Sequence, residues 1–205
     1  MIHDSDEVQF REEPFSGFPK IARFNRTVVV TEKIAGTNAQ VYITPNGQFY
    51  VGSRNRWITP ENDNFGFARW AYDRKDELMQ LGPGRHFGEW WGSGIQRGYG
   101  FKNGERFFSL FNTVRWCLHD SEPQPIPTGD PRITKTQDVL PACCGLVPVL
   151  WSGVMAHLDT DYIMTLLQTQ GSMAVQGFMN PEGIVIFHTA SNTAFKMTYD
   201  DNHKG

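Results

Sequence analysis

The stretch that most constrains this chain is residues 31–38, with the sequence TEKIAGTN. It follows residues 27–30, a β-branched run typical of a strand, and it precedes residues 39–44, which alternate like a second strand. Lys33 is therefore expected at the end of a strand, where its side chain points into a pocket. Gly36 allows the backbone to turn tightly or to approach a ligand closely.

A lysine in this position can serve as a nucleophile. An amine attacks only in its neutral form, and a free lysine side chain titrates near ~10.4, so a nucleophilic lysine needs a site that favours the neutral form. The alternative is an ordinary strand-end lysine that forms a salt bridge. A Lys-x-x-Gly pattern is too common to decide between the two, so the rest of the chain must decide.

Composition excludes several classes of protein. The 205 residues suit one large domain or two small ones, and the net charge of −3 argues against broad coating of nucleic acid without excluding a local basic groove. The three cysteines form no Cys-x-x-Cys pair, which indicates neither a disulfide framework nor a zinc site and fits a reducing cytosol. Residues 1–7 lack an apolar signal core, and no apolar run is long enough to cross a membrane. We expect a cytoplasmic protein with no membrane partner.

Hydrophobic periodicity and turn signals predict a mixed chain of strands and helices. Three strands are expected within residues 27–53, further strands at 86–92, 106–111, 139–151, 184–187 and 194–199, and helices at 64–81 and 159–170. Residues 1–26 and the proline-rich residues 120–136 are expected to be mainly loops. Neither an internal repeat nor a second domain is visible, so residues 1–205 are interpreted as one domain without a separate C-terminal domain.

Five charged residues share a position at or near a strand end: Lys33, Arg54, Glu89, Glu182 and Lys196. Taken singly, each has an ordinary explanation as a surface cation or as half of a structural ion pair. Taken together, a lysine, two carboxylates and two further cations could hold a nucleoside triphosphate and its metal ion.

Five motifs connect this set to a known family. EKIAGTN, SRN, FGE, FN and PEGIV recur in the order found in the RNA ligase family of covalent nucleotidyltransferases, and residues 27–199 resemble that family. The branch typified by the second RNA ligase of T-even phages is the most similar. The resemblance implies an α+β nucleotidyltransferase domain, ATP-grasp-like, with antiparallel sheets flanked by helices. It also implies ATP and Mg²⁺ or Mn²⁺ as cofactors and, for a phage-encoded protein, action in the host cytoplasm.

The resemblance further implies a reaction in three steps. Lys33 would attack the α-phosphate of ATP to give lysyl-AMP and pyrophosphate, AMP would pass to a 5′-phosphate of RNA, and a 3′-hydroxyl would then seal the strand. The other roles, carried over position by position, are nucleotide binding for Glu32, nucleotide binding and sealing for Asn38, ribose and phosphate contact for Arg54, ribose binding for Glu89, adenine stacking for Phe111, metal association for Glu182 and α-phosphate contact for Lys196.

Two features depart from the family pattern. The last motif is usually Lys-x-Lys, whereas here Thr198 follows Lys196, and a hydroxyl cannot replace a cation at a phosphate; Lys204 is a candidate substitute. The relative also carries an added C-terminal domain that we do not expect in this chain. We therefore expect self-adenylylation to be better preserved than strand joining, with RNA capture weak or dependent on a partner.

Other functions stay open at this point. DNA ligases and mRNA-capping guanylyltransferases typically contain Lys-x-Asp-Gly, whereas Ala35 occupies the aspartate position here, and both usually carry an oligonucleotide-binding domain. A nucleic-acid-binding module with a degenerate active site is the non-enzyme alternative, which Thr198 favours and the retained Lys33 opposes. The expected partner is RNA with 5′-phosphate and 3′-hydroxyl ends. A monomer is expected, and an end-healing kinase or phosphatase is a candidate further partner.

Overall fold

The computed structural model describes residues 16–116 and 140–200, which form two β-sheets with short helices packed against them. The strands are β1 Thr27–Glu32, β2 Thr37–Ile43, β3 Phe49–Ser53, β4 Gly84–Gly92, β5 Arg106–Leu110, β6 Cys144–Leu146, β7 Val149–Val154, β8 Gly183–His188 and β9 Thr193–Thr198. The α-helices are α1 Phe67–Asp73, α2 Lys75–Leu78, α3 Thr113–Trp116 and α4 Thr160–Gln170, and single 3-10 turns cover Met79–Leu81, Gly98–Gly100 and Met155–His157.

The two sheets are almost entirely antiparallel. The four-stranded sheet has the order β7-β1-β8-β9, and the five-stranded sheet has the order β3-β2-β4-β5-β6, in which only β5 and β6 run parallel. Residues 33–36 connect β1 of the first sheet to β2 of the second. The architecture confirms the predicted α+β class with antiparallel sheets, and it places Lys33 where the chain passes from one sheet to the other.

Each sheet has its own apolar core on one face. Helix α1 covers the five-stranded sheet through Phe67, whose ring lies 5.4 Å from Trp90 and 5.0 Å from Phe108, centroid to centroid. Helix α4 covers the four-stranded sheet through Ile163 and Leu167, which are buried with residues of β1 and β8. Burial of apolar surface, at about 25 cal/mol per Å², provides the main stabilisation of both faces. The opposite face of each sheet is therefore available for polar chemistry.

All the predicted strands are present, and the differences are shifted boundaries, one divided strand and one additional helix. The helix expected at residues 64–81 begins only at Phe67, because Phe65 and Gly66 both adopt a positive φ, and it is interrupted at Arg74. The apolar run 139–151 forms two strands, β6 and β7, in different sheets rather than one, because Pro148 cannot donate a ladder hydrogen bond. Helix α3 was not predicted, since four residues carry no periodicity.

Some expectations fall on residues that lie outside the described ranges. They are the loop at 120–136, Cys117, residues 1–15, and Lys204 in the tail. Within residues 16–116 and 140–200, no helix has the length and apolar character needed to cross a bilayer.

Candidate active site

The connector between β1 and β2 is fixed on both sides of the chain. The backbone N–H of Lys33 donates to the carbonyl of Gly183 at 2.8 Å, and the backbone N–H of Ala35 donates to the hydroxyl of Tyr99, also at 2.8 Å. Ile34 and Ala35 are buried in a small apolar cluster with Trp91. Because its neighbours are anchored in this way, the Lys33 side chain is held at the sheet junction rather than on a mobile loop.

The ammonium of Lys33 forms an ion pair with the carboxylate of Glu182. Glu182 immediately precedes β8, which pairs with β1 so that Ile184 lies opposite Glu32. Pairing of these two strands therefore carries Glu182 to the end of β1. The two side chains are 24% and 23% exposed, so one side of the pair remains open to a ligand.

Glu89 is a second, more deeply buried carboxylate in the same region. It lies on β4 directly opposite Asn38 of β2, and the Asn38 side-chain amide donates to Glu89 Oε2 at 3.1 Å. Burial raises the pKa of Glu89 to about 7, although the positive charge of Lys33 and the hydrogen bond from Asn38 act in the opposite direction. Glu89 therefore exchanges a proton near neutral pH and interacts electrostatically with the Lys33 ammonium.

Two glycines of the motifs permit close backbone approach at this site. A Cβ atom on Gly36 would lie 2.5 Å from the carbonyl oxygen of Trp90 and 2.8 Å from Cγ of Glu89. Gly183 has a φ of +147°, and a Cβ there would lie 2.1 Å from the carbonyl oxygen of Met197. Any side chain at Gly36 would push the Lys33 connector away from Glu89, and any side chain at Gly183 would separate β8 from β9. These close contacts leave no room for a side chain at either position.

Three other predicted residues lie on or directly after strands of the two sheets. Phe111 follows β5 and is 41% exposed, and strand alternation places it on the same sheet face as Ser109 and Glu89. Arg54 is exposed one residue beyond Ser53, which pairs with Ala39, next to Asn38. Lys196 lies on β9 opposite Val185 and is exposed. The structure thus joins Lys33 to Glu182 and Asn38 to Glu89 by direct contact, and it brings the other three to neighbouring strand positions.

The carboxylate of Glu32 does not share the environment of Lys33. It is 1% exposed and accepts hydrogen bonds from the Ser172 hydroxyl at 2.6 Å and from the backbone N–H groups of Met173 and Ala174 at 2.7 and 3.1 Å. Burial raises the pKa of Glu32, and these three hydrogen bonds act against that rise. Glu32 thereby attaches the segment after α4 to the end of β1, and its predicted contact with a nucleotide stays a prediction.

Sequence reasoning missed two residues that position the site. The guanidinium of Arg97 donates to the carbonyls of Asn180 and Pro181 at 2.9 and 3.2 Å and also pairs with Asp200, so it holds the turn that precedes Glu182. Tyr99 accepts the hydrogen bond from Ala35 described above. Both lie in the glycine-rich loop after β4, and no spacing in the sequence indicates their long-range partners.

The donor set around Lys33 suits a divalent metal that also binds phosphate. Among the residues that the structure describes, no three His, Cys, Asp or Glu side chains are grouped to form a ready-made metal cage. Glu182 provides a carboxylate in direct contact with Lys33, and Glu89 is close enough to interact with Lys33 electrostatically. Mg²⁺ is commonly held by one or two carboxylates, with substrate phosphates and water completing the octahedron. The residues present therefore fit such an ion only in combination with a phosphate ligand.

The sheets and the lysine at their junction define the fold of a nucleotidyltransferase domain. A family model described as RNA ligase matches residues 26–198, and the chain belongs to the RNA ligase family. No curated protein matches the chain significantly.

Solved structures of the RNA ligase of Naegleria gruberi share the fold. A mutant with ATP and Mn has a TM-score of 0.54 and 19% identity, and the match covers 86% of this chain and 50% of that chain. An apo mutant has a TM-score of 0.54 and 20% identity, and the match covers 85% of this chain and 50% of that chain. A mutant with AMP and Mn has a TM-score of 0.54 and 18% identity, and the match covers 86% of this chain and 51% of that chain. This chain thus spans about half the length of the structures that it matches. The resemblance to the T-even phage branch stays a prediction.

Proposed function

We propose that this chain is an ATP-dependent RNA ligase that works through an AMP adduct on Lys33. The observation that carries the proposal is the ion pair between Lys33 and Glu182 at the junction of the sheets, within motifs of the RNA ligase family. A structural lysine would need neither the close-packed Gly36 nor the buried Glu89 beside it. The solved structures of the Naegleria gruberi ligase with ATP or AMP and Mn support the choice of ATP and a divalent metal.

The proposed reaction consists of three displacements at phosphorus. Lys33 Nζ releases its proton to water and forms a bond to the α-phosphorus of ATP, while the bond to the pyrophosphate oxygen breaks. An oxygen of the RNA 5′-phosphate then attacks the same phosphorus, which breaks the bond to Nζ and yields an RNA-adenylate. A 3′-hydroxyl oxygen finally attacks the 5′-phosphorus, and AMP leaves. Such displacements depend mainly on positioning and on neutralisation of charge.

The residues around Lys33 have separate roles in this proposed reaction. Glu182 orients the Lys33 ammonium through their ion pair and is the residue that would hold a metal ion. A bound Mg²⁺ or Mn²⁺ supplies positive charge to the phosphates. We propose that Glu89, positioned by Asn38, accepts a hydrogen bond from the ribose, because a carboxylate that is 8% exposed needs a polar partner.

The exposed residues on the surrounding strands would bind the rest of the nucleotide. Phe111 offers an aromatic face for adenine, and Arg54 and Lys196 offer positive charge for phosphate. Glu32 supports the site from behind by holding residues 172–174. We propose that Asn38 affects sealing through its hydrogen bond to Glu89, since a shift of either side chain moves the other.

The substrate and setting follow from the family and stay proposals. We propose RNA with a 5′-phosphate and a 3′-hydroxyl as substrate, one domain that acts as a monomer in the cytoplasm, and an upstream kinase or phosphatase that prepares the ends. A DNA ligase or a capping enzyme is the alternative with the same first step, and an inactive binding module is the alternative without it.

The first step is tested by incubating the protein with ATP labelled at the α-phosphate and a divalent metal, without RNA. Wild type should acquire label that resists denaturation, and Lys33→Ala should acquire none. Lys102→Ala, at an exposed lysine outside the site, is the matched control and should label like wild type. An unlabelled wild type would favour the binding module, and a labelled Lys33→Ala would remove Lys33 from the mechanism. Joining assays with RNA and DNA ends then separate the two kinds of ligase.

A further inference from the structure

A cluster of exposed aromatic rings lies on the five-stranded sheet, on the face opposite its apolar core. Tyr42 of β2, Tyr50 of β3 and Trp57 form this cluster, which we call the aromatic platform. The ring centroid of Tyr42 lies 6.0 Å from that of Tyr50 and 6.2 Å from that of Trp57, and the Tyr50 and Trp57 centroids are 5.6 Å apart. Tyr50 is 39% exposed and Trp57 is 48% exposed. Neighbouring aromatic rings that remain partly exposed offer apolar faces to a binding partner.

An arginine lies over the aromatic platform. The guanidinium carbon of Arg85 is 4.1 Å from the ring centroid of Tyr42 and 5.4 Å from that of Trp57, and its Nη1 donates to Gln40 Oε1 at 3.1 Å. These contacts fix the orientation of the guanidinium, while the side chain as a whole is exposed. A cation held flat on aromatic rings can contact a phosphate or stack on a further planar group.

The charge around the aromatic platform selects an anionic partner. Residues 37–60, which supply all three rings, contain Arg54 and Arg56 and no aspartate or glutamate, although the whole chain has a net charge of −3. Arg85 on the adjacent strand adds a third cation. Aromatic faces combined with positive charge are the features that bind single-stranded nucleic acid, because bases stack on the rings and phosphates lie beside the cations.

The aromatic platform is continuous with the Lys33 site. Glu89, Phe87 and Arg85 alternate along β4 and therefore lie on the same face, and Phe87 between them is 49% exposed. Glu89 lies four positions after Arg85 on β4, a span of roughly 13 Å. A nucleic-acid strand bound to the aromatic platform could thus follow β4 and bring its end to Lys33.

We propose that the aromatic platform binds unpaired nucleotides of an RNA strand whose end is presented to Lys33. Bases stack on Tyr50 and Trp57, and the phosphates between them lie against Arg85. The identity of the strand as substrate rests on the proposed ligase function, but the stacking itself does not depend on catalysis.

The test measures binding separately from the reaction. The probe is a fluorescent single-stranded RNA of about 12 nucleotides, a length within the range bound by known single-strand sites. It carries a 5′-hydroxyl instead of a 5′-phosphate and therefore cannot be adenylylated. It is titrated without ATP and followed by fluorescence anisotropy. Tyr50→Ala and Trp57→Ala should each weaken binding roughly 5- to 150-fold, the range known for one base–aromatic stack. Arg85→Gln should weaken binding and lower the slope of log affinity against log salt by roughly 0.7.

Matched controls use an aromatic residue and a stacked arginine elsewhere on the protein. Tyr162 on α4 is 55% exposed, and the guanidinium carbon of Arg74 lies 5.3 Å from the ring centroid of Trp70. Tyr162→Ala and Arg74→Gln should bind RNA like wild type. All platform variants should form the Lys33 adduct at the wild-type rate, so that loss of the adduct reports on the ligase function and loss of RNA binding reports on the platform.

Two results would overturn the proposal. One is equal RNA affinity for wild type, Tyr50→Ala and Trp57→Ala, which would show that the rings do not contact the RNA. The other is equally strong competition by a blunt RNA duplex of the same length, because bases inside a duplex already have both faces covered by neighbouring pairs. Weak competition by the duplex supports the proposal.

Discussion

Lys33 and Glu182 are 149 positions apart in the sequence, yet their side chains form an ion pair at the junction of the two sheets. The pairing of β1 with β8 brings them together, and Arg97 fixes the turn before Glu182. The two side chains are only 24% and 23% exposed, and the pair holds the Lys33 ammonium at the end of β1.

The first prediction concerns Gly36, where the backbone of the Lys33 connector touches β4. Gly36→Ala would place a methyl group 2.5 Å from the carbonyl oxygen of Trp90, so the connector must move. We expect a loss of about 1–3 kcal/mol in the free energy of unfolding, measured by urea denaturation, together with slower adduct formation on Lys33. Gly47→Ala is the control, because Gly47 has a φ of +80° but a methyl group there would have no neighbouring atom within 4 Å.

The free energy of unfolding of Gly47→Ala should fall only by the cost of placing alanine in a left-handed conformation, about 1–2 kcal/mol. The variant should label with AMP normally. Should Gly36→Ala label as fast as wild type, close contact between the connector and β4 would be irrelevant to the position of Lys33.

The sequence predicted the strands because these depend on local information. The β-branched run before Lys33 and the turn at Pro45-Asn46-Gly47 determine β1, β2 and β3 through their own side chains. The two-sheet arrangement followed only from resemblance, since strand order depends on contacts between distant residues. The interruption of the helix at Arg74 had no signal in the pattern.

The positioning residues could not be predicted for the same physical reason. Arg97 and Tyr99 bond to residues 83 and 64 positions away, and Glu32 bonds to Ser172 across 140 positions. Their residue types fit an exposed loop or a nucleotide site equally well. Only the folded backbone decides which groups they meet.

The second prediction concerns the proton on Glu89. Its pKa rises from 4.5 to about 7 on folding because of burial, so the folded state binds more protons than the unfolded state between these values. The stability that protonated Glu89 contributes is complete below pH 4.5 and is lost as the pH rises through 7. Glu89→Gln removes this dependence and keeps an acceptor for Asn38. Relative to wild type, the variant should therefore gain stability between pH 5 and pH 8, by up to about 3 kcal/mol.

Thermal or urea unfolding across that pH range measures the effect. Glu61→Gln removes one carboxylate at an exposed position and serves as the control. A stability difference between wild type and Glu89→Gln that is the same at pH 5 and pH 8 would show that burial of Glu89 does not perturb its ionisation.

The third prediction concerns Phe111 and the adenine. If Phe111 stacks on the base, Phe111→Ala should weaken ATP binding by about 1–3 kcal/mol. The titration is made in a Lys33→Ala background, so that no covalent adduct forms during the measurement. Phe107→Ala is the control, because Phe107 is 39% exposed on β5, four residues before Phe111 and on the same sheet face. Equal ATP affinity for Phe111→Ala and its parent would return Phe111 to a purely structural role.

The last prediction concerns Thr198, where this chain departs from its family. Thr198 lies on β9 opposite Gly183, beside Glu182, and it shares a strand face with Lys196 two residues earlier. A second lysine there would add a charge-assisted contact to phosphate, which is the stronger class of hydrogen bond. Adenylylation of Lys33 has another source of positive charge, since a divalent metal accompanies the triphosphate. The later steps, which handle a 5′-phosphate and an RNA-adenylate, are expected to be limited by the missing cation.

Thr198→Lys should therefore raise the rate of sealing on pre-adenylylated RNA more than the rate of Lys33 adenylylation, with both rates measured by quench-flow. Thr193→Lys places the same charge at the far end of β9, opposite His188, and should change neither rate. Equal rates for Thr198→Lys and wild type in both steps would mean that another cation already acts there, and Lys204 is the first candidate. In that case Lys204→Ala should slow sealing in wild type but not in Thr198→Lys, because the new lysine would take over the phosphate contact.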